Sequence, residues 1–403
     1  MTGVPPGVEP QRLLHEVRWR RDQFLSVLES LCRAESPSLD AHRQQAVHAV
    51  LAANLDALGY AVRELPGTRS GGHLYARPRR RNRGAGVQLL LGHYDTVWPV
   101  GTLATMPFGF EGDRARGPGV YDMKGGLAQI VVALASLRGL GIEPELTPVV
   151  LVNADEEVGS RESGRYVRRL ARIADRALVL EPSLGIEGRL KTERKGVARY
   201  TVVVHGRAAH AGLDPGAGAS AILELSHVIQ ALFALNDPAR GVTVNVGTVD
   251  GGLRPNVIAP ESRAVADVRV CSEADALRVE QAIRGLAPAT PGTRLEVNGG
   301  FGRPPMERTP RNRRLWRLAR EAARRLDLEL DEGLAGGGSD GSTTSLYTAT
   351  LDGLGPVGAG AHAPDECLFI GATLERAALL AMLLAAPDLP EDEPVTAAEA
   401  LEA

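Results

Sequence analysis

Three short apolar runs, each ending in charged or imidazole side chains, do most to limit what this chain can fold into. Val87-Gln-Leu-Leu-Leu91 carries no charge and passes through Gly92 to His93 and Asp95. Val149 to Val152 ends in Asn153-Ala-Asp155-Glu156-Glu157, and Ala177 to Leu180 ends in Glu181-Pro182. Short charge-free runs with such abrupt ends read as buried strands. Between the first two, Gly125 to Leu140 has helical periodicity and follows the glycine-rich turn Gly117-Pro-Gly-Val-Tyr-Asp122. Strand, helix and strand in alternation predict an α/β fold with a mostly parallel sheet, which places its ligands beyond the carboxyl ends of the strands.

The residues at those ends have the chemistry of metal ligands. His93, Asp122, Glu157 and Glu181 are joined by a second isolated imidazole, His362, in Gly358-Ala-Gly-Ala-His362-Ala-Pro-Asp-Glu366. Two imidazoles and three carboxylates suit a pair of divalent ions, Zn(II) first and Co(II) or Mn(II) as further options. His93 and Asp95, two residues apart, share one side of an extended backbone, so Asp95 can orient the imidazole. Glu156 and Glu157 are adjacent, and on an extended backbone they would face opposite ways. A lone aspartate in a glycine-rich loop is commonly a turn former; the set of five, not Asp122 alone, argues for ligation.

Gly92-His-Tyr-Asp-Thr-Val97, Gly119-Val-Tyr-Asp-Met-Lys-Gly-Gly126, Asp155-Glu-Glu-Val-Gly159, Leu180-Glu-Pro182 and the segment around His362 resemble the ordered signature of the M20 metallopeptidases. The nearest likeness is to the glutamate carboxypeptidase branch, and it runs from Asp22 to Leu384. This resemblance implies that Asp122 bridges two ions, that His93 and Glu181 hold one, and that Glu157 and His362 hold the other. It makes Glu156 the general base that takes a proton from the attacking water and passes it to the leaving nitrogen. Gly206-Arg-Ala-Ala-His210-Ala-Gly212 is similar to the family's lid loop, in which the histidine steadies the oxyanion in the active site of the partner subunit. His210 therefore implies a homodimer. Asn256 and Arg303 stand where the branch contacts the substrate carboxylate, with Arg254 a rival for that task; a guanidinium can grip a carboxylate through two parallel hydrogen bonds. The implied activity is hydrolysis of an amide bond beside a free carboxylate, in small peptides or N-acyl amino acids with an acidic end. Deacylation of N-acyl amino acids is the alternative enzyme reading, and a non-catalytic binding or dimerisation module the alternative from another class.

The 403 residues suggest two domains. After Glu181 the pattern changes to a strand over 198–205, a helix over 216–235, strands over 242–250 and 262–270, a helix over 273–286 and a strand over 294–298. This β-α-β-β-α-β order is the ferredoxin-like unit. The expected division is a catalytic domain over 1–194 and 305–386, an inserted ferredoxin-like lid and dimerisation domain over 195–304, and a disordered tail over 387–403. Residues 11–32 keep one helical face, 41–58 a second helix, 311–326 and 373–384 two more, and 336–340 a flexible turn. A net charge of -3 and pI near 6.3 exclude a nucleic-acid footprint. No run matches a membrane span or a leader peptide, and three scattered cysteines form no disulfide framework, so a cytoplasmic setting is expected.

Overall fold

The computed structural model describes residues 9–388; most of the tail expected from Pro387 onward lies outside the described residues. The chain divides into two compact units. One is Glu193–Glu307 joined by Ala335–Gly338, and the rest of the described chain forms the other.

The larger unit is built on a six-stranded sheet in the order Tyr60–Leu65, His73–Pro78, Thr147–Asn153, Val87–His93, Arg176–Val179, Ala349–Leu351. The last four strands are mutually parallel, and the first two are antiparallel additions at one edge. Every residue of Thr147–Asn153 is buried, as fits a strand covered on both faces and explains why its sequence does not alternate. The parallel register pairs His93 with Asn153 and Leu91 with Val179. The chain therefore leaves all three strands at the same edge, bringing the turns that follow them together.

Helices Gly125–Gly139 and Ile370–Ala385 are apolar almost all round and almost wholly buried. By length and composition alone the apolar segment Val120–Gly139 could cross a membrane, but it is spent on the interior. At about 1.5–3 kcal/mol for each large aliphatic side chain taken out of water, these helices contribute a large share of the unit's apolar burial.

The single amino-terminal helix expected over 11–32 is two helices, Pro10–Trp19 and Arg21–Arg33. The helical ladder breaks at Arg20, whose ψ is 15° and whose guanidinium is held by Glu16 at 2.7 Å. Both halves keep their apolar residues three and four apart, so periodicity alone cannot register the break.

The smaller unit is an antiparallel sheet in the order Thr243–Gly251, Glu261–Val270, Gly196–His205, Arg294–Arg303, with helices Ala221–Phe233 and Glu273–Arg284. Alternate residues Ala198, Tyr200, Val202 and Val204 enter its core, the period-two signature of a half-covered sheet. Two boundaries differ from expectation. The first helix starts at Ala221, because Pro215–Ala217 is a separate short turn and Ser220 caps the helix by accepting from the Leu223 amide. The last strand runs on to Arg303 through Gly299 and Gly300, which keep pairing with Tyr200 and Arg199 at φ of 102° and 155° respectively. Glycines that read as a stop instead permit a bent continuation.

Candidate metal centre

His93 ends the central parallel strand and is 1% exposed. Its Nδ1 lies 2.9 Å from the backbone oxygen of Asp95. A carbonyl can only accept, so Nδ1 carries the proton and the opposite nitrogen of the neutral ring has the free lone pair. That Nε2 stands 3.4 Å from Asp122 Oδ1 and 3.5 Å from Glu181 Oε1. The Asp95 carboxylate, expected to hold the ring, is farther from Nδ1 at 3.4 Å. It accepts instead from the amides of Glu156 and Glu157, at 3.1 and 3.2 Å, and from Ser38 Oγ at 2.7 Å. Asp95 thus fixes the imidazole through its backbone and the acidic pair through its side chain.

The backbone at Glu156 and Glu157 is a turn, not the extended chain expected. Both side chains accordingly come near the same cluster. Donor atoms of His93, Glu156 and Glu181 lie within 4.8 Å of one another, and so do those of His93, Asp122 and Glu157. Asp155 caps the next turn by accepting from the Glu162 amide at 2.7 Å. His362, in the left-handed region at φ 61°, places Nε2 3.2 Å from Glu157 Oε1 and 3.4 Å from Asp122 Oδ2.

The charges in this cluster restrain one another. Burial opposes ionisation of Asp122, but the imidazoles of His362 and His93 hold its carboxyl well below the usual range. Contacts with Asp122 and Glu157 push His362 up to about 10. Burial disfavours a charged His93, yet Asp122 and Asp95 raise it well above an ordinary histidine. The buried Oδ1 of Asp122 makes no hydrogen bond within the protein, and the donors are all imidazole nitrogen or carboxylate oxygen. This set fits divalent ions that replace the imidazole protons.

The smaller unit carries the three other candidates. His210 is exposed, and its Nδ1 accepts from the amides of Gly212 and Leu213, each at 3.1 Å. Its tautomer is therefore fixed with the proton on Nε2, ready to donate. Asn256 is exposed and is tied to the same loop, its backbone oxygen accepting from Ala211 at 3.0 Å. Arg303 is 8% exposed, at the end of its strand and against Gly338.

Two site residues escape the sequence reading. Ser38 offers no signal, being a serine in a loop far along the chain from Asp95. Glu366 does: it is an acid directly before the apolar Cys367-Leu-Phe369. It is 1% exposed, and burial pushes its carboxyl up to about 7 against four donors that pull it down.

A mostly parallel sheet with this cluster at its carboxyl edge defines the class of α/β metallohydrolases. The profile of the family described as Peptidase family M20/M25/M40 matches residues 89–386. Carboxypeptidase G2 from Pseudomonas sp. (strain RS-16) is 31% identical over 370 residues, spanning 89% of this chain and 88% of the relative. N-acetyl-L-citrulline deacetylase from Xanthomonas campestris pv. campestris is 28% identical over 283 residues, 66% of this chain and 71% of the relative. Among solved structures, the YxeP protein of Bacillus subtilis, described as a dinuclear metal binding peptidase, superposes with a TM-score of 0.69. It shares 16% identity over 91% of this chain and 98% of that chain. The chain belongs to peptidase family M20. It is thus a metal-dependent peptidase or amidohydrolase.

Proposed function

We propose that this chain removes a carboxyl-terminal acidic residue from small peptides or N-acyl amino acids by hydrolysing the adjoining amide bond. The observation that carries the reading is that the two oxygens of Asp122 face two different imidazoles, Oδ1 at 3.4 Å from His93 Nε2 and Oδ2 at 3.4 Å from His362 Nε2. A carboxylate with one oxygen toward each of two nitrogen donors is what a pair of neighbouring cations requires of its shared residue. In this reading Asp122 bridges, His93 and Glu181 take one ion, and Glu157 and His362 take the other, with Zn(II) favoured over Co(II) or Mn(II). When bound, the ions supply Lewis-acid polarisation of the scissile carbonyl and a water acidic near neutral pH.

This chain's own residues do the rest. Glu156, held by Asp95 through its amide, takes the proton of the attacking water and returns it to the leaving nitrogen. His210, its proton fixed on Nε2, donates to the oxygen on which charge develops. Arg303 and Asn256 hold the substrate carboxylate. His210 acts on the partner subunit's site, so the working form is a homodimer joined through the inserted unit, in a cytoplasmic setting.

The similarity to N-acetyl-L-citrulline deacetylase supports a second reading, deacylation of small N-acyl amino acids by the same machinery. Amino-acid release from glutamyl, aspartyl, neutral and acetylated substrates, with Zn(II) or Co(II) and with a chelator, separates the two. Release confined to acidic carboxyl ends supports the carboxypeptidase; release confined to acetylated substrates supports the deacylase. Metal-independent release, or none from either class, overturns both.

A further inference from the structure

Glu366 is a buried carboxylate beside the centre, 1% exposed, and both of its oxygens face protein donors. Its Oε1 accepts from the amides of Tyr121 and Asp122, at 2.9 and 3.0 Å. Its Oε2 accepts from the Gly119 amide at 2.9 Å and from the Trp98 indole at 2.8 Å. An ionised carboxylate has about four acceptor positions, and here each meets a protein donor. Glu366 is therefore spent on the protein and is not itself a ligand.

Those four donors lie on two segments that bear candidate ligands, and Glu366 itself belongs to a third. Trp98 lies in the loop that leaves His93; Gly119, Tyr121 and Asp122 form the bridging loop; Glu366 closes the segment of His362. A fourth is reached through Tyr121, whose hydroxyl donates to the Ser183 backbone oxygen at 2.7 Å, just past Glu181. The approach is close: Gly119 has φ 71°, and a Cβ there would stand 2.6 Å from Thr96 Cγ2. Holding the amide of Asp122 fixes the peptide plane from which its carboxylate projects.

We propose that Glu366 is a positioning residue that staples the His93, Asp122 and His362 segments into one geometry and so sets the metal affinity of the centre. The role rests on the dinuclear reading above. Glu366→Gln tests it, because the amide keeps the shape but turns one acceptor into a donor facing two N–H groups.

Equilibrium metal binding in Zn(II) buffers, read as ions per chain, is measured beside the thermal melt of the metal-free proteins. The variant is expected to melt with the wild type when metal-free and to bind metal roughly ten- to a hundredfold more weakly, as residues that orient ligands do. Excess metal should then restore turnover. Glu366→Asp, which keeps the charge but sits one methylene short, should fall between the two, and it supplies the comparison if Glu366→Gln does not fold. Affinity within about threefold of wild type in the folded variant overturns the positioning role alone. A wild type that binds no metal overturns the dinuclear reading, and the positioning role with it.

Discussion

Glu156 and Glu157 share a turn, and Asp95 accepts from the amides of both, yet the proposed mechanism gives them different work. Glu157 touches His362, whereas Glu156 groups with His93 and Glu181. If Glu156 is the base, Glu156→Gln should lower kcat by at least about a hundredfold while leaving the number of bound ions unchanged, as elemental analysis reads it. Loss of an ion with the activity would make Glu156 a ligand instead. That His93, Asp122, Glu157, Glu181 and His362 come close together was legible because each follows an apolar run or stands in a glycine-rich segment. The bond that sets the His93 tautomer was not, since it runs to a backbone oxygen and any residue at position 95 could supply one. Ser38 was hidden for a related reason: its partner is remote in the chain, and a loop serine has no pattern.

At the scale of elements, what sequence periodicity reports is burial, and it is silent on polar staples. Arg176 is fully buried and donates to Gln88, to the carbonyls of Leu383 and Ala386 at the end of a core helix, and to Pro387; burial pushes it down to about 10. Nothing in the run Arg176 to Val179 announced this. Glu162 is a second such staple. Its carboxylate accepts from the amides of Thr68, Arg69 and Ser70 and from the hydroxyls of Thr68 and Ser70, pinning the loop ahead of the His73 strand. Partial burial pushes this carboxyl up, but the Thr68 and Ser70 donors outweigh it and hold it at about 2. A folded value below the unfolded one contributes stability above the ordinary carboxylate range, lost as pH falls toward 2. Glu162→Gln should therefore cost about 1 kcal/mol at pH 7, a figure kept small by solvent screening. Urea melts should show that difference shrinking at pH 3. A difference that does not change with pH would assign the effect to shape rather than charge.

At the scale of the whole molecule, the β-α-β-β-α-β order of the smaller unit was legible from strand and helix lengths alone. That Ala335–Gly338 returns to it was not, because Lys195 donates to Ala335 across a stretch of chain that holds most of the unit. The proposed assembly depends on His210, whose fixed tautomer leaves an exposed donor with no catalytic cluster of its own among the described residues of that unit. If it serves the partner subunit's site, a His210→Ala chain paired with a Glu156→Gln chain has one complete site, since each chain supplies what the other lacks. Random pairing gives half mixed dimers with one working site in two, so co-expression should recover roughly a quarter of the wild-type rate, whereas each variant alone stays near background. Sedimentation and two distinguishable tags confirm that mixed dimers form. Mixed dimers without recovered activity would confine His210 to its own chain or remove it from the chemistry, and a monomer in sedimentation would remove the shared site altogether.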